Sequence, residues 1–292
     1  MDKFRQYFIY SGIVLLIGIF WACTSNPFFK DNYFELEKIS GRVILNDGTV
    51  PDSVFVWLDG LDLQTYTDRD GKFVLLIPPP DMQRDQNGLN GTYPLYFYNA
   101  NYAVDSLPVV LTEGHLEKSQ TYIDNDGRLR SPLTLAKLLD FSTTVTPAVI
   151  ANDFKDTLQV DVRLFSYCEA LQVNCFIWNK PVGATTITYQ SGVILRPLNI
   201  PDAEPVFIYN AYILQYTYYL PYKQETIWAI RFYFDASSLP PGEYEALQFC
   251  WVVQENVPGK LMQNFGYNWY WLNADYLKIP MKRNCAVLKI LP

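Results

Sequence analysis

Through most of the chain, apolar and polar residues alternate with a period of two, the pattern of a strand with one face buried. Residues 156–164 show it most cleanly. Leu158, Val160, Val162 and Leu164 share one face, while Gln159, Asp161 and Arg163 share the other. The same reading predicts strands over residues 39–45 and 54–60, a hairpin over 65–77 turning at Asp70-Gly71, and strands over 91–98 and 105–111. Further strands are expected at 175–178, 185–189, 227–234 and 244–253. Turn residues punctuate them, as at Asn46-Asp47-Gly48 and Pro240-Pro241-Gly242. The pattern is that of an all-β protein. A second signal comes from Tyr267, Trp269 and Trp271, which at i, i+2 and i+4 would share one face of a strand.

The start of the chain breaks this pattern. Lys3 and Arg5 precede an uncharged apolar stretch from Tyr7 to Ala22, and the polar run Thr24-Ser25-Asn26-Pro27 follows it. This is the layout of a secretory signal. The stretch falls short of the roughly 18 to 20 residues that a membrane-crossing helix needs. It closes on Phe20-Trp21-Ala22-Cys23, which resembles the lipobox of bacterial lipoproteins, a small residue directly before a cysteine. Phe20 and Trp21 depart from that motif, which usually has Leu and a small residue at those positions. The resemblance implies removal of residues 1–22, acylation of Cys23 as the new N-terminus, and a tethered domain behind a spacer over 23–38. Several acyl chains, at ~0.8 kcal/mol per buried methylene, would hold such a domain durably on a bilayer. Thr24 stands where an inner-membrane retention signal would have Asp, so an outer-membrane lipoprotein is the expected address, with its periplasmic or surface face left open.

Composition then limits the function classes. Apolar residues make up 49% and charged residues 18%, which excludes disorder, and aromatics at 16% favour strands. The net charge of −7 would repel nucleic acid. His115 is the only histidine, so multi-histidine zinc sites are excluded, and its place after the last strand of the first domain reads as a surface turn. Gly-x-Ser-x-Gly and phosphate-cradling glycine loops are absent, and no cofactor is expected. Asp68-Arg69-Asp70-Gly71 and Asp124-Asn125-Asp126-Gly127 look alike, but neither completes a calcium loop, and both read as plain turns.

Four cysteines remain besides Cys23: Cys168, Cys175, Cys250 and Cys285. In an oxidising compartment they allow three pairings. One of these joins Cys168 to Cys175 across a hairpin and Cys250 to Cys285 between late strands. The alternative is that they are small buried hydrophobes.

Residues 39–118 carry a Ser40-Gly41-x-Val43 opening and an apolar strand ending at Asp59-Gly60. The Thr67-Asp68-x-x-Gly71-x-Phe73 turn and a Tyr-x-Leu-x-Phe strand leading to Asn101-Tyr102 follow. Together they resemble the carboxypeptidase regulatory-like domain, a transthyretin-related β-sandwich common in envelope proteins of Bacteroidetes. That resemblance implies a scaffold and no catalytic centre. Residues 119–140 read as a linker. Residues 141–292 suggest a second sandwich of immunoglobulin or fibronectin type.

The expected function is a non-catalytic envelope lipoprotein that binds or organises an envelope protein or glycan. A row of Tyr267, Trp269 and Trp271 would offer ring faces for stacking if exposed, or fill the core if buried. The alternatives are a glycan-active enzyme, which needs two suitably spaced carboxylates, and a secreted adhesin or assembly subunit without lipid. Trp228 and Trp251, inside apolar strands, are expected in the core.

Overall fold

The computed structural model describes residues 36–83, 88–118, 120–175, 178–182, 185–189, 192–208, 216–268 and 270–292. Residues 1–22 and Cys23 lie outside them, as does Trp269. Glu37–Pro292 is one compact unit, and it is all-β apart from short helical turns.

The first part of this unit contains β1 (Lys38–Leu45), β2 (Phe55–Leu58), β3 (Leu63–Tyr66), β4 (Lys72–Leu76), β5 (Gly91–Tyr98), β6 (Asp105–Thr112), β7 (His115–Leu116) and β8 (Leu133–Leu135). They form two sheets, ordered β4-β1-β8 and β3-β2-β5-β6-β7. Alternation places Ile39, Val43, Phe73 and Leu75 of the first sheet against Val56, Leu95, Phe97 and Val109 of the second, which makes a sandwich core.

Residues 65–77 are not a hairpin. β3 pairs with β2, whereas β4 pairs with β1 in the opposite sheet. Period-two patterning fixes which face of a strand is buried, but it leaves the partner unspecified. The crossing turn is held by Asp68, whose Oδ1 accepts from the Asp70 and Lys72 N–H groups at 2.9 and 2.8 Å. Asp124 makes the same two bonds to Asp126 and Arg128, so the two look-alike motifs are the same turn.

The stretch 120–140, expected as linker, is also structured. Ile123, Leu133 and Leu135 are buried in the first core, and β8 runs parallel to β1. Three residues of Leu-Thr-Leu are too few for alternation to stand out in a sequence.

The second part contains β9 (Leu139–Thr146), β10 (Val149–Ala151), β11 (Lys155–Ser166), β12 (Leu171–Cys175), β13 (Trp178–Val182), β14 (Thr185–Tyr189), β15 (Val193–Leu198), β16 (Val206–Ile208), β17 (Tyr216–Leu220), β18 (Glu225–Asp235), β19 (Gly242–Gln248), β20 (Cys250–Val252) and, after a short helix α1 (Gly259–Gln263), β21 (Ala286–Leu291). Its sheets are ordered β10-β21-β19-β15-β16, β13-β14-β18-β11-β9 and β17-β12-β20. Their inward faces share one core, which includes Leu158, Val162, Trp228, Ile230, Tyr244 and Leu288. The strand expected over 244–253 divides at Phe249, whose N–H donates to the Gly192 carbonyl at 2.8 Å. β19 therefore continues one sheet and β20 another.

A third core lies between these two parts. All four residues of β2 are buried: Val56 and Leu58 face the first sandwich, while Phe55 and Trp57 face Ile194, Leu247 and Phe249 of the second. A continuous apolar run is what a strand covered on both faces requires. The segment from α1 to Ile279 covers this seam with Leu261, Met262, Phe265 and Tyr276.

Candidate functional site

Residues 258–283 close the seam and carry the chemistry that the strands do not absorb. The segment starts at Pro258, the N-cap of α1, and the helix buries Leu261 and Met262. Phe265 then inserts between Phe55 and Tyr98, with ring centroids 4.9 and 5.9 Å away. Beside it, Lys260 Nζ sits 5.2 Å from the centre of the Trp57 ring and 2.9 Å from Asp59 Oδ1. This anchored start fixes where the next loop leaves the surface.

The described residues of the next loop, 266–268 and 270–273, form turns and bends, not the strand expected at Tyr267 and Trp271. Its polar residues explain the difference. Gly266 has φ +121°, and a Cβ there would meet the Asp275 carboxyl at 2.2 Å, so the chain passes where only glycine fits. Asn273 Nδ2 donates to the Asn268 carbonyl at 3.0 Å, and Asn273 Oδ1 accepts from Asp275 N–H at 2.8 Å. Asn side chains that bond nearby backbone in this way favour turns over ladders. The loop holds its aromatic rings outward: Tyr267 is 81% exposed, Trp271 51% and Tyr270 39%. Tyr270 and Trp271 have ring centroids 6.0 Å apart. Leu272 turns inward against the seam core.

The chain then forms a 3-10 turn, Ala274–Lys278, whose Tyr276 is fully buried. Its hydroxyl donates to the Cys250 carbonyl at 2.8 Å and accepts from Cys250 N–H at 3.1 Å. Burial pushes this phenol up from its ordinary value. Arg283 stacks over the same ring, with its guanidinium carbon 5.0 Å from the centroid.

Next to this turn is an open cleft of about 430 Å³. Ser53 and Tyr66 contribute from the first part, Arg196 and Glu245 from β15 and β19, and Lys278 and Arg283 from the closing segment. Arg196 and Glu245 are direct register partners and form an ion pair. Lys278 pairs with Asp275 at 2.7 Å. Arg283 differs. Its Nε and Nη2 are buried and have no hydrogen-bond partner among the described residues, and Arg196 Nε is in the same condition. A buried guanidinium nitrogen without an acceptor is unfavourable, and the natural complement of such a fork is a carboxylate.

The cysteines give this site no nucleophile. Burial raises the Cys250 thiol to about 12, and burial followed by the Glu245 charge raises Cys285 to about 12, so both are protonated at neutral pH. Cys168, Cys175, Cys250 and Cys285 are thiols with no disulfide among them. The pairing of Cys168 with Cys175 and of Cys250 with Cys285 is not formed. Register instead sets Cys175 opposite Cys250.

Of the residues singled out in the sequence, Tyr267 and Trp271 thus share one exposed loop, Trp269 and Cys23 lie outside the described residues, and Trp228 and Trp251 are buried. His115 is on the surface, 3.1 Å from Glu37. The cleft was missed. One local signal existed in Arg196, a lone charge within the otherwise apolar Val193–Leu198. Among known proteins, no family model matches the chain, and no curated protein matches it.

Proposed function

We propose that the protein is a non-catalytic cell-envelope lipoprotein, held on the outer membrane through acylated Cys23, that serves as a binding or structural module for an envelope protein or glycan. The observation that carries the binding role is the outward display of Tyr267, Tyr270 and Trp271 on one short loop. Exposed large aromatics gain little in water and much on contact with a sugar face or an apolar partner surface. The loop is anchored at both ends by the Phe265 insertion and the buried Tyr276, so its rings are presented on a rigid base. The tether reading rests on the lipobox-like Phe20-Trp21-Ala22-Cys23 and the charged, then apolar, stretch before it.

Tryptophan quenching tests the binding role. The chain beginning at Cys23 is titrated with acrylamide, alone and with envelope and plant glycans or envelope protein fractions. Protection of an exposed tryptophan by one ligand class, abolished in Trp271→Ala, is the expected result. Quenching that no ligand alters would refute it.

A further inference from the structure

We infer that the cleft between Arg196 and Arg283 is a subsite for the carboxylate of an acidic sugar, an inference that rests on the binding-module reading and specifies the ligand. The chain carries a net −7, yet this cleft is lined by Arg196, Lys278 and Arg283 against a single carboxylate, Glu245. Arg196 is committed to Glu245 and Lys278 to Asp275. Arg283 is held by the Tyr276 ring, while its Nε and Nη2 have no acceptor among the described residues. Two adjacent N–H groups of a guanidinium match the two oxygens of a carboxylate in a planar, bidentate pair. Because those nitrogens are covered, engagement requires the guanidinium to turn about its outer torsions toward the cleft.

The neighbours narrow the anion. Glu245, with a side-chain exposure of only 17%, compensates Arg196, and Asp275 compensates Lys278, so the single uncompensated charge of Arg283 matches a monoanionic carboxylate better than a dianion such as phosphate. A polyanion of high charge density would also be repelled by the net negative chain. The neutral lining suits a sugar ring. Tyr66, 49% exposed, contributes an aromatic side chain to the lining, and Ser53 a hydroxyl. A volume near 430 Å³ falls within the roughly 300–1,000 Å³ of small-ligand sites. The segment that supplies Lys278 and Arg283 also displays Trp271.

Calorimetric titration of the chain beginning at Cys23 tests this with four probes: galacturonate and glucuronate oligosaccharides, their methyl esters, the corresponding neutral oligosaccharides, and an acidic peptide with a free C-terminus. The expected result is binding of a uronate oligosaccharide at least about ten-fold tighter than its methyl ester. Arg283→Gln and Arg283→Lys should each lose about that factor, Lys because it keeps the charge but not the fork. Melting temperature reports whether either variant is folded, and the ester comparison on the unaltered chain stands even if neither is. Equal binding of acid and ester overturns the inference, as does undiminished uronate binding by a folded Arg283→Gln. Binding of the peptide without any uronate also overturns it, in favour of a protein ligand. Binding of neutral glycans alone, lost in Trp271→Ala, overturns the carboxylate subsite while supporting the binding module. No binding by any probe overturns the subsite and leaves the module to be judged by its quenching test.

Discussion

Asn101 and Lys282, 181 residues apart, grip each other by two hydrogen bonds: Lys282 N–H donates to Asn101 Oδ1 and Asn101 Nδ2 donates to the Lys282 carbonyl, each at 3.0 Å. The same amide donates to the Leu139 carbonyl at 2.9 Å, and the residue is buried. One side chain thus joins the turn after β5 to the start of β9 and to the segment carrying Arg283.

Asn101→Ala would leave these buried backbone groups without partners. A loss of about 2–4 kcal/mol is expected, since each unsatisfied group costs roughly 1–3 kcal/mol and part is relieved by water. Urea denaturation at fixed pH measures it, and a loss below about 1 kcal/mol would contradict the role given to Asn101.

Trp57→Ala should destabilise the whole of Glu37–Pro292. Its ring is fully buried in the seam, stacks on Tyr96 at 5.6 Å between centroids, and its Nε1–H donates to Asp62 Oδ1 at 3.0 Å. Truncating such a tryptophan costs about 3–5 kcal/mol. A shared core also predicts one unfolding transition, because neither sandwich can separate without exposing Phe55, Trp57, Phe249 and Phe265. Two resolved calorimetric transitions would show that the seam does not couple them.

Acid stability should depend on Asp47. Burial opposes its ionisation, but hydrogen bonds from Lys137 Nζ at 2.7 Å and from Thr49 outweigh it and hold the carboxyl down at about 2. The group therefore stabilises the fold above the ordinary aspartate range, and that contribution fades as pH falls toward 2. Lys137→Met should reduce the stability lost between pH 5 and pH 2 by on the order of 1 kcal/mol, after allowance for partial solvent screening. Identical pH profiles for the two proteins would contradict this.

Cys175 and Cys250 should be the pair that an oxidant joins. Val253 N–H donates to the Gln172 carbonyl, so along the β12–β20 pairing Cys175 and Cys250 face each other at a non-hydrogen-bonded position. Cys250 accordingly sends its N–H and carbonyl to Tyr276. Such positions bring Cα atoms to about 4.5 Å, within the range a disulfide spans. Peptide mapping after treatment with oxidised glutathione, which takes up the two electrons, should find Cys175 linked to Cys250. A link from Cys168 to Cys175, or none under denaturant-assisted oxidation, would contradict it.

These relationships divide into what patterning can and cannot carry. β11 and β18 are legible because each alternates over seven or more residues, and β2 because its run of apolar residues is covered on both faces. Pairing is not legible: nothing local tells β4 to join β1 rather than β3, or Cys175 to face Cys250. The aromatic loop misleads because Tyr267 and Trp271 mimic strand spacing, while Gly266, Asn268 and Asn273 set the backbone. Arg196 apart, the cleft is not legible for a different reason. Ser53, Arg196, Glu245 and Arg283 come from four distant parts of the chain, and only the seam brings them together.

Equilibrium binding of the chain and of a Tyr267→Ala/Trp271→Ala variant to separated envelope glycan and envelope protein fractions tests whether the exposed aromatic loop binds an envelope ligand. Both side chains are exposed, so the variant should keep its melting temperature. The unaltered chain should be retained by one fraction, and the variant should bind it at least about ten-fold more weakly, as expected when exposed aromatic anchors are removed. Equal retention of the two proteins, or none by any fraction, would contradict it.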